Sequence, residues 1–244
     1  MKPTESLEQQ KGRCGFMIKA VIFDLDGTLK EFNLDTKTCR IKSINLLTQQ
    51  GFSRSLFSLD ESAFDMLKKV KESQIKNAGK TQDFSKIKDI IFSVVEEFEL
   101  EAARTAKIFE GIPETLKALK DMELELALCT ISSEKTTDYI LKRFQLEQFF
   151  DAVVTRDSVF EIKPSPTHLE AALDALKVNS QEALLVGDSV KDIQCAIQLN
   201  VLAVGVTTGL SSLEDLTRSG AHYIASSVTD VPILVEQLNR KTVE

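Results

Sequence analysis

The segment IFDLDGTL, residues 22–29, sets two carboxylates, Asp24 and Asp26, one residue apart behind an apolar run and follows them with Gly27 and Thr28. A carboxylate at the end of a buried strand loses its hydration, which is costly unless a partner compensates. Taken alone, the segment also fits an Asp-Gly turn that ends a strand, so partners elsewhere in the chain must decide. CTISS places Thr130 and Ile131 behind a second apolar run, EIKPSP places Lys163, and GDSVKD places Asp188 and Asp192.

Each of these pieces has an ordinary structural reading. Thr130 fits a cap for a helix near Glu134, Lys163 fits a surface lysine before a proline-led helix, and GDSVKD fits a capped strand-to-helix turn. Those readings do not explain the set occurring in order, each member at the carboxyl end of a strand, where loops converge. Converged carboxylates of Asp24, Asp26, Asp188 and Asp192 repel one another unless a divalent cation sits among them, and hard oxygen ligands with room for water and phosphate suit Mg²⁺. Lys163 and Thr130 then offer an ammonium and a hydroxyl to an anion, with backbone amides beside Gly27 and Thr130 as further donors. A cation, phosphate donors and a carboxylate nucleophile make a site for phosphoryl transfer through an aspartyl-phosphate.

The elements that must position these residues are legible as alternation. Apolar runs at 18–23, Leu124–Cys129, Ala152–Val154, Ala183–Val186, Val201–Val206 and Tyr223–Ala225 alternate with helical patterns at Pro113–Met122, Glu134–Phe144, Pro166–Lys177, Val190–Leu199 and Val231–Leu238. The pattern predicts an α/β fold, a Rossmann-like three-layer core whose parallel sheet is covered on both faces. Residues 31–107 break the rhythm. Ile41, Ile44 and Leu47, then Phe84, Ile87, Ile91, Val94 and Phe98, repeat at helical spacing, with Gly51 and Gly79 as punctuation. An inserted all-helical cap domain at 31–107, acting as a lid, therefore interrupts a core made of 17–30 and 108–244.

The bulk composition excludes several classes. A net charge of −7 without a basic stripe argues against nucleic-acid partners. Cys14, Cys39, Cys129 and Cys195 stand far apart, and with two histidines in the chain neither a zinc site nor a disulfide framework is expected. Cys129 and Cys195 read as core residues. Residues 1–16 are polar and read as a loose N-terminal extension, with Met17 a candidate start; no signal peptide or membrane span is visible, so the protein is expected to be cytoplasmic.

DLDGT, Thr130 after a strand, Lys163 in KPSP and GDSVKD, in that order, resemble the four motifs of the haloacid dehalogenase-like hydrolases over nearly the whole chain from Met17. Helices inserted straight after DLDGTL resemble the phosphoglycolate phosphatase-like branch. The resemblance implies that Asp24 is the nucleophile and Asp26 the general acid–base, which also offers its backbone carbonyl to Mg²⁺. It implies Asp188 as a direct metal ligand, Asp192 as a ligand or water-mediated support, and Thr130, Ile131, Lys163 and Gly27 around the phosphoryl group. Dehalogenases of the superfamily lack an acid two residues after the nucleophile, phosphonate-cleaving relatives carry Ala there, and transporting ATPases have a Lys-Thr pair. Asp26 therefore points to a phosphatase of small phosphomonoesters, phosphoglycolate-like or sugar phosphates, with a phosphomutase or a non-catalytic binding protein as alternatives.

Two departures from the family pattern bear on the substrate: Ile131 after the motif threonine, and Lys30-Glu31 after DGTL. Arg54 is a weaker candidate for substrate contact, and His168 and His222 read as structural. VTTG at 206–209 reads as a turn without assigned chemistry. The expected partner is a small phosphorylated metabolite, not nucleic acid or membrane, and the expected state is a monomer or homodimer.

Overall fold

A computed structural model describes residues 2–3, 17–76 and 83–243. The apolar runs become strands: Ala20–Phe23 (β2), Glu125–Cys129 (β3), Ala152–Val154 (β4), Ala183–Gly187 (β5), Leu202–Val206 (β6) and Tyr223–Ala225 (β7). Lys2–Pro3 (β1) adds a short strand at one edge. The sheet order is β1-β7-β6-β5-β2-β3-β4, parallel throughout except for β1, which runs antiparallel to β7. β2 lies between β5 and β3, with Ile22 opposite Leu185 on one side and Ala127 on the other. A parallel strand buried on both faces needs a continuous apolar run, and every residue of β2 and β5 is buried.

Helices flank the sheet in the Rossmann-like three-layer α/β arrangement. Pro166–Leu176 packs on β3 and β4, and Val190–Gln198 packs on β5 and β6. Leu169, Ala172, Ile193 and Ala196 from these helices join Ile22, Ala127 and Leu185 in one buried cluster. Cys129 and Cys195 belong to the same cluster. Burial pushes the Cys129 thiol up and the Cys195 thiol to about 11, so neither is a ready thiolate.

The chain divides into two compact units, Met1–Phe32 with Ala106–Glu244, and Asn33–Thr105. The second unit is helical, built from Thr36–Gln49, Ala63–Lys76 and Phe84–Thr105. Asp35 caps the first of these by accepting from the Thr38 amide at 3.0 Å, and Ile44, Leu47, Met66, Val70 and Ile91 form its own core. Phe64 and Phe92 meet edge to face there, with ring centroids 5.7 Å apart. The α/β unit sends out and takes back this insert through two paired segments: the Glu31 amide donates to Lys107 O at 2.9 Å, and the Phe109 amide to Leu29 O at 3.1 Å.

Within the stretch expected to be a loose extension, Lys2 and Pro3 form β1; residues 1 and 4–16, including Cys14, lie outside the described residues, as does Gly79. No described helix is long and apolar enough to cross a membrane.

Candidate active site

The site is assembled at the carboxyl ends of β2, β3 and β5. Asp24 follows β2 directly, and its amide donates to Val186 O at 2.9 Å, extending the ladder by one residue and fixing where the carboxylate departs. The chain then turns sharply. Gly27 has φ of +84°, and a Cβ there would lie 2.5 Å from Asp188 Oδ2, so both conformation and space require glycine. The Gly27 amide donates to Lys30 O at 2.7 Å. The amide of Gly27 itself is thus bonded within the turn, and the glycine lets that turn pass close to Asp188.

Lys163 enters from the KPSP loop and organises the carboxylates. Its ammonium donates to Asp24 Oδ1 at 2.6 Å, Asp192 Oδ1 at 2.5 Å and the Cys129 carbonyl at 2.8 Å, so each of its three protons has an acceptor. Burial alone would lower this lysine, but Asp192 and Asp24 outweigh burial and hold it well above the usual range. Its expected role as an anion holder therefore requires one internal contact to be exchanged. Burial raises the Asp24 carboxyl well above its ordinary value against the pull of Lys163, with Asp192 and Asp188 adding to the rise.

Asp192 does two jobs. Its Oδ1 faces Lys163, while Oδ2 accepts from the Ser189 amide at 3.1 Å and the Ser189 hydroxyl at 2.5 Å. Ser189 in turn caps the helix Val190–Gln198, so the capping reading and the site reading hold together, with serine at the N-cap and Asp192 three residues on. Gly187 makes room: a Cβ there would fall 2.4 Å from Asp192 Cγ.

Asp188 is held by residues the sequence left without a role. Its Oδ2 accepts from the Leu210 amide at 2.6 Å, and Thr28 Oγ1 approaches Oδ1 at 3.4 Å. Gly209 lies so close that a Cβ would stand 2.0 Å from Asp188 Oδ2, and the Thr208 hydroxyl donates to Gly27 O at 2.6 Å. The VTTG turn thus braces both Asp188 and the Asp24–Gly27 turn. Burial and the neighbouring Asp192 raise the Asp188 carboxyl to about 6.

Asp26 stands in a different environment. Its Oδ1 is 2.5 Å from Lys30 Nζ, and its Oδ2 accepts from the Ser132 hydroxyl at 2.7 Å. Lys30 and Ser132 are the contacts sequence reasoning missed. Thr130 is buried, its amide donates to Val154 O at 2.9 Å, and its Oγ1 accepts from the Ser132 amide at 3.1 Å. The hydroxyl proton of Thr130 remains to be donated. The Ile131 carbonyl accepts from the buried Arg156 guanidinium at 3.1 Å, which anchors the loop from behind.

The other candidates fall outside this constellation. His168 Nδ1 accepts from the Lys163 amide at 3.2 Å, and His222 Nδ1 accepts from the Ala203 amide at 2.9 Å. Arg54 lies in the helical unit, exposed, donating to Phe57 O at 2.8 Å.

Asp24, Asp188 and Asp192 each offer a carboxylate oxygen within 4.8 Å of the others, all three buried. The Lys163 ammonium is bonded to two of these groups, and the raised Asp24 and Asp188 carboxyls reflect a poorly solvated place that disfavours three ionised carboxylates without a further cation. Buried like charges at that spacing fit a divalent cation held by hard oxygens. Asp26 stands apart from the set through its side chain, with Lys30 as counter-ion.

Residues 21–206 match the model of the haloacid dehalogenase-like hydrolases, and the chain belongs to that family. Among its relatives, pyrophosphatase PpaX of Bacillus mycoides (strain KBAB4) is 27% identical over 224 residues, spanning 91% of this chain and 99% of the relative. The crystal structure of a predicted phosphatase from Clostridium acetobutylicum is 25% identical with a TM-score of 0.63, covering 91% of this chain and 99% of that one. A predicted phosphoglycolate phosphatase from Haemophilus somnus 129pt shares the fold at a TM-score of 0.59 and 22% identity, over 89% and 97% of the two chains.

Proposed function

We propose that the protein is a Mg²⁺-dependent phosphatase that hydrolyses small phosphomonoesters, phosphoglycolate-like or sugar phosphates, through an aspartyl-phosphate on Asp24. The observation that carries this reading is the contrast between two carboxylates two residues apart. Asp24 is buried against Lys163, while Asp26 keeps a partly open position with partners of its own.

In the first step an Asp24 carboxylate oxygen attacks phosphorus, the ester P–O bond breaks, and Asp26 gives its proton to the departing alkoxide. In the second step Asp26 takes a proton from water as the water oxygen attacks the same phosphorus. The acyl-phosphate bond then breaks, releasing inorganic phosphate and restoring Asp24. Lys163 keeps Asp24 oriented and partly screened from Asp192, and Thr130 with the Ile131 amide donates to the phosphoryl oxygens. Asp24, Asp188 and the Asp26 carbonyl, with Asp192 in support, would hold Mg²⁺, which would supply charge neutralisation for the transfer.

The test is phosphate release, with Mg²⁺ present, across phosphoglycolate, sugar phosphates, nucleotides and pyrophosphate, comparing wild type with Asp24→Asn. Pyrophosphate is included because the Bacillus relative bears the name pyrophosphatase. Release from at least one phosphomonoester, lost in Asp24→Asn, is expected. Release from none refutes the reading, and release from pyrophosphate alone moves the substrate to an anhydride.

A further inference from the structure

Lys30, two residues past Thr28, is the more deeply buried member of an unusual pair. Its side chain is 4% exposed, whereas that of Asp26, 2.5 Å away, is 22% exposed. Another pair of this spacing is solvated: Lys117 and Asp121 are 66% and 62% exposed, and such contacts contribute little. A buried ammonium is different. It needs acceptors in place, and the Asp26 carboxyl is one of them, so the fold that buries Lys30 also constrains where that carboxyl sits.

Both anchors of Asp26 are themselves fixed. The Lys30 amide donates to Leu25 O at 3.1 Å, its carbonyl accepts from Gly27, and its ammonium also reaches Glu31 O at 3.0 Å. On the opposite side, the Ser132 amide is tied to Thr130 Oγ1 and its carbonyl accepts from the Arg156 amide at 3.3 Å. A carboxylate gripped at each oxygen, from two different strand ends, keeps one rotamer while its remaining lone pairs face whatever enters. Lys30, so little exposed, does not reach that position itself.

We propose that Lys30 is a positioning residue for proton transfer: with Ser132 it holds Asp26 where the leaving oxygen and, later, the hydrolytic water arrive. This rests on the phosphatase reading above. Loss of the anchor leaves both proton transfers misaligned but the nucleophile untouched, which yields a signature that general destabilisation does not.

In Lys30→Met, kcat for an alkyl phosphate is expected to fall on the order of 10- to 100-fold with KM little changed. With 4-nitrophenyl phosphate, whose leaving group departs without a proton, a rapid burst of nitrophenol should precede slow turnover, because water attack on phospho-Asp24 still needs Asp26. In an Asp26→Asn background the Lys30 substitution should add no further loss. Wild-type kcat in folded Lys30→Met, the absence of a burst, or an equal loss in the Asp26→Asn background overturns the inference. If Lys30→Met shows no cooperative melt, Lys30→Gln is put through the same measurements with the same outcomes deciding. A wild type inert on every ester refutes the phosphatase reading itself; an active wild type with an indifferent Lys30 variant refutes the positioning role alone.

Discussion

The ammonium of Lys163 meets the carboxylate of Asp24 at 2.6 Å, although 139 residues separate them in sequence. The same ammonium holds Asp192 at 2.5 Å. Lys163→Met therefore strips two buried carboxylates of their common counter-ion. Breaking a buried pair in this way costs about 3–5 kcal/mol. Urea denaturation in metal-free buffer should register that loss, and added Mg²⁺ should recover part of it. An unfolding midpoint equal to wild type in EDTA would show that the three groups do not depend on one another.

The two aspartates of GDSVKD should not contribute equally to metal binding. Asp192 has one oxygen on Lys163 and the other on Ser189, whereas Asp188 is held through a backbone amide and a long threonine contact. Asp188→Ala should weaken Mg²⁺ binding more than Asp192→Ala, and Asp192→Ala should destabilise the helix cap more. Calorimetric titration of the folded variants reads the first ranking; equal Mg²⁺ affinity in Asp188→Ala and wild type contradicts it.

Gly209 constrains Asp188 by proximity. A methyl group there cannot occupy a point 2.0 Å from Oδ2 and 2.4 Å from Cγ without moving the carboxylate. Gly209→Ala should lower metal affinity about 10- to 100-fold, the usual scale for a displaced support of a ligand. A variant with wild-type affinity and melting temperature would mean that the loop yields instead of the carboxylate.

His168 gives the fold an acid-sensitive component. Burial, reinforced by the Lys163 ammonium, pulls its pKa from 6.5 down to about 4. The folded state thus keeps the ring neutral where the unfolded chain would bind a proton. Its contribution is complete above about pH 6.5 and is lost as the pH falls towards 4, by about 3 kcal/mol at most. His168→Asn keeps an acceptor for the Lys163 amide but does not titrate. The stability advantage of wild type over this variant should shrink between pH 7 and 4.5 in urea melts. A constant difference would show that the ring does not titrate on unfolding.

Much of this architecture was legible because parallel strands buried on both faces must be runs of apolar residues, and their loops must carry the polar ones. β2 and β5 follow that rule closely. Features with weak local signals were not legible. β1 is two residues long and the helix Leu213–Arg218 six, too short for a period to show. The bracing of Asp188 by Gly209 and Leu210 links two loops whose nearness depends on β5 and β6 lying side by side. Lys30 read only as a departure bearing on the substrate, since an isolated lysine after a turn ordinarily faces solvent. Its burial follows from the pairing of Glu31 with Lys107 and of Phe109 with Leu29, which no local pattern announces.

The decisive feature of the proposed reaction is that Asp24 carries the phosphoryl group. It is tested most directly by quenching Asp26→Asn in acid during turnover of 4-nitrophenyl phosphate and locating the adduct by peptide mass spectrometry. With water attack slowed, a phosphoryl group is expected on the peptide containing Asp24, and none when Asp24 is also Asn. Turnover by the wild type with no adduct on that peptide in Asp26→Asn, or with the adduct on another residue, would contradict it.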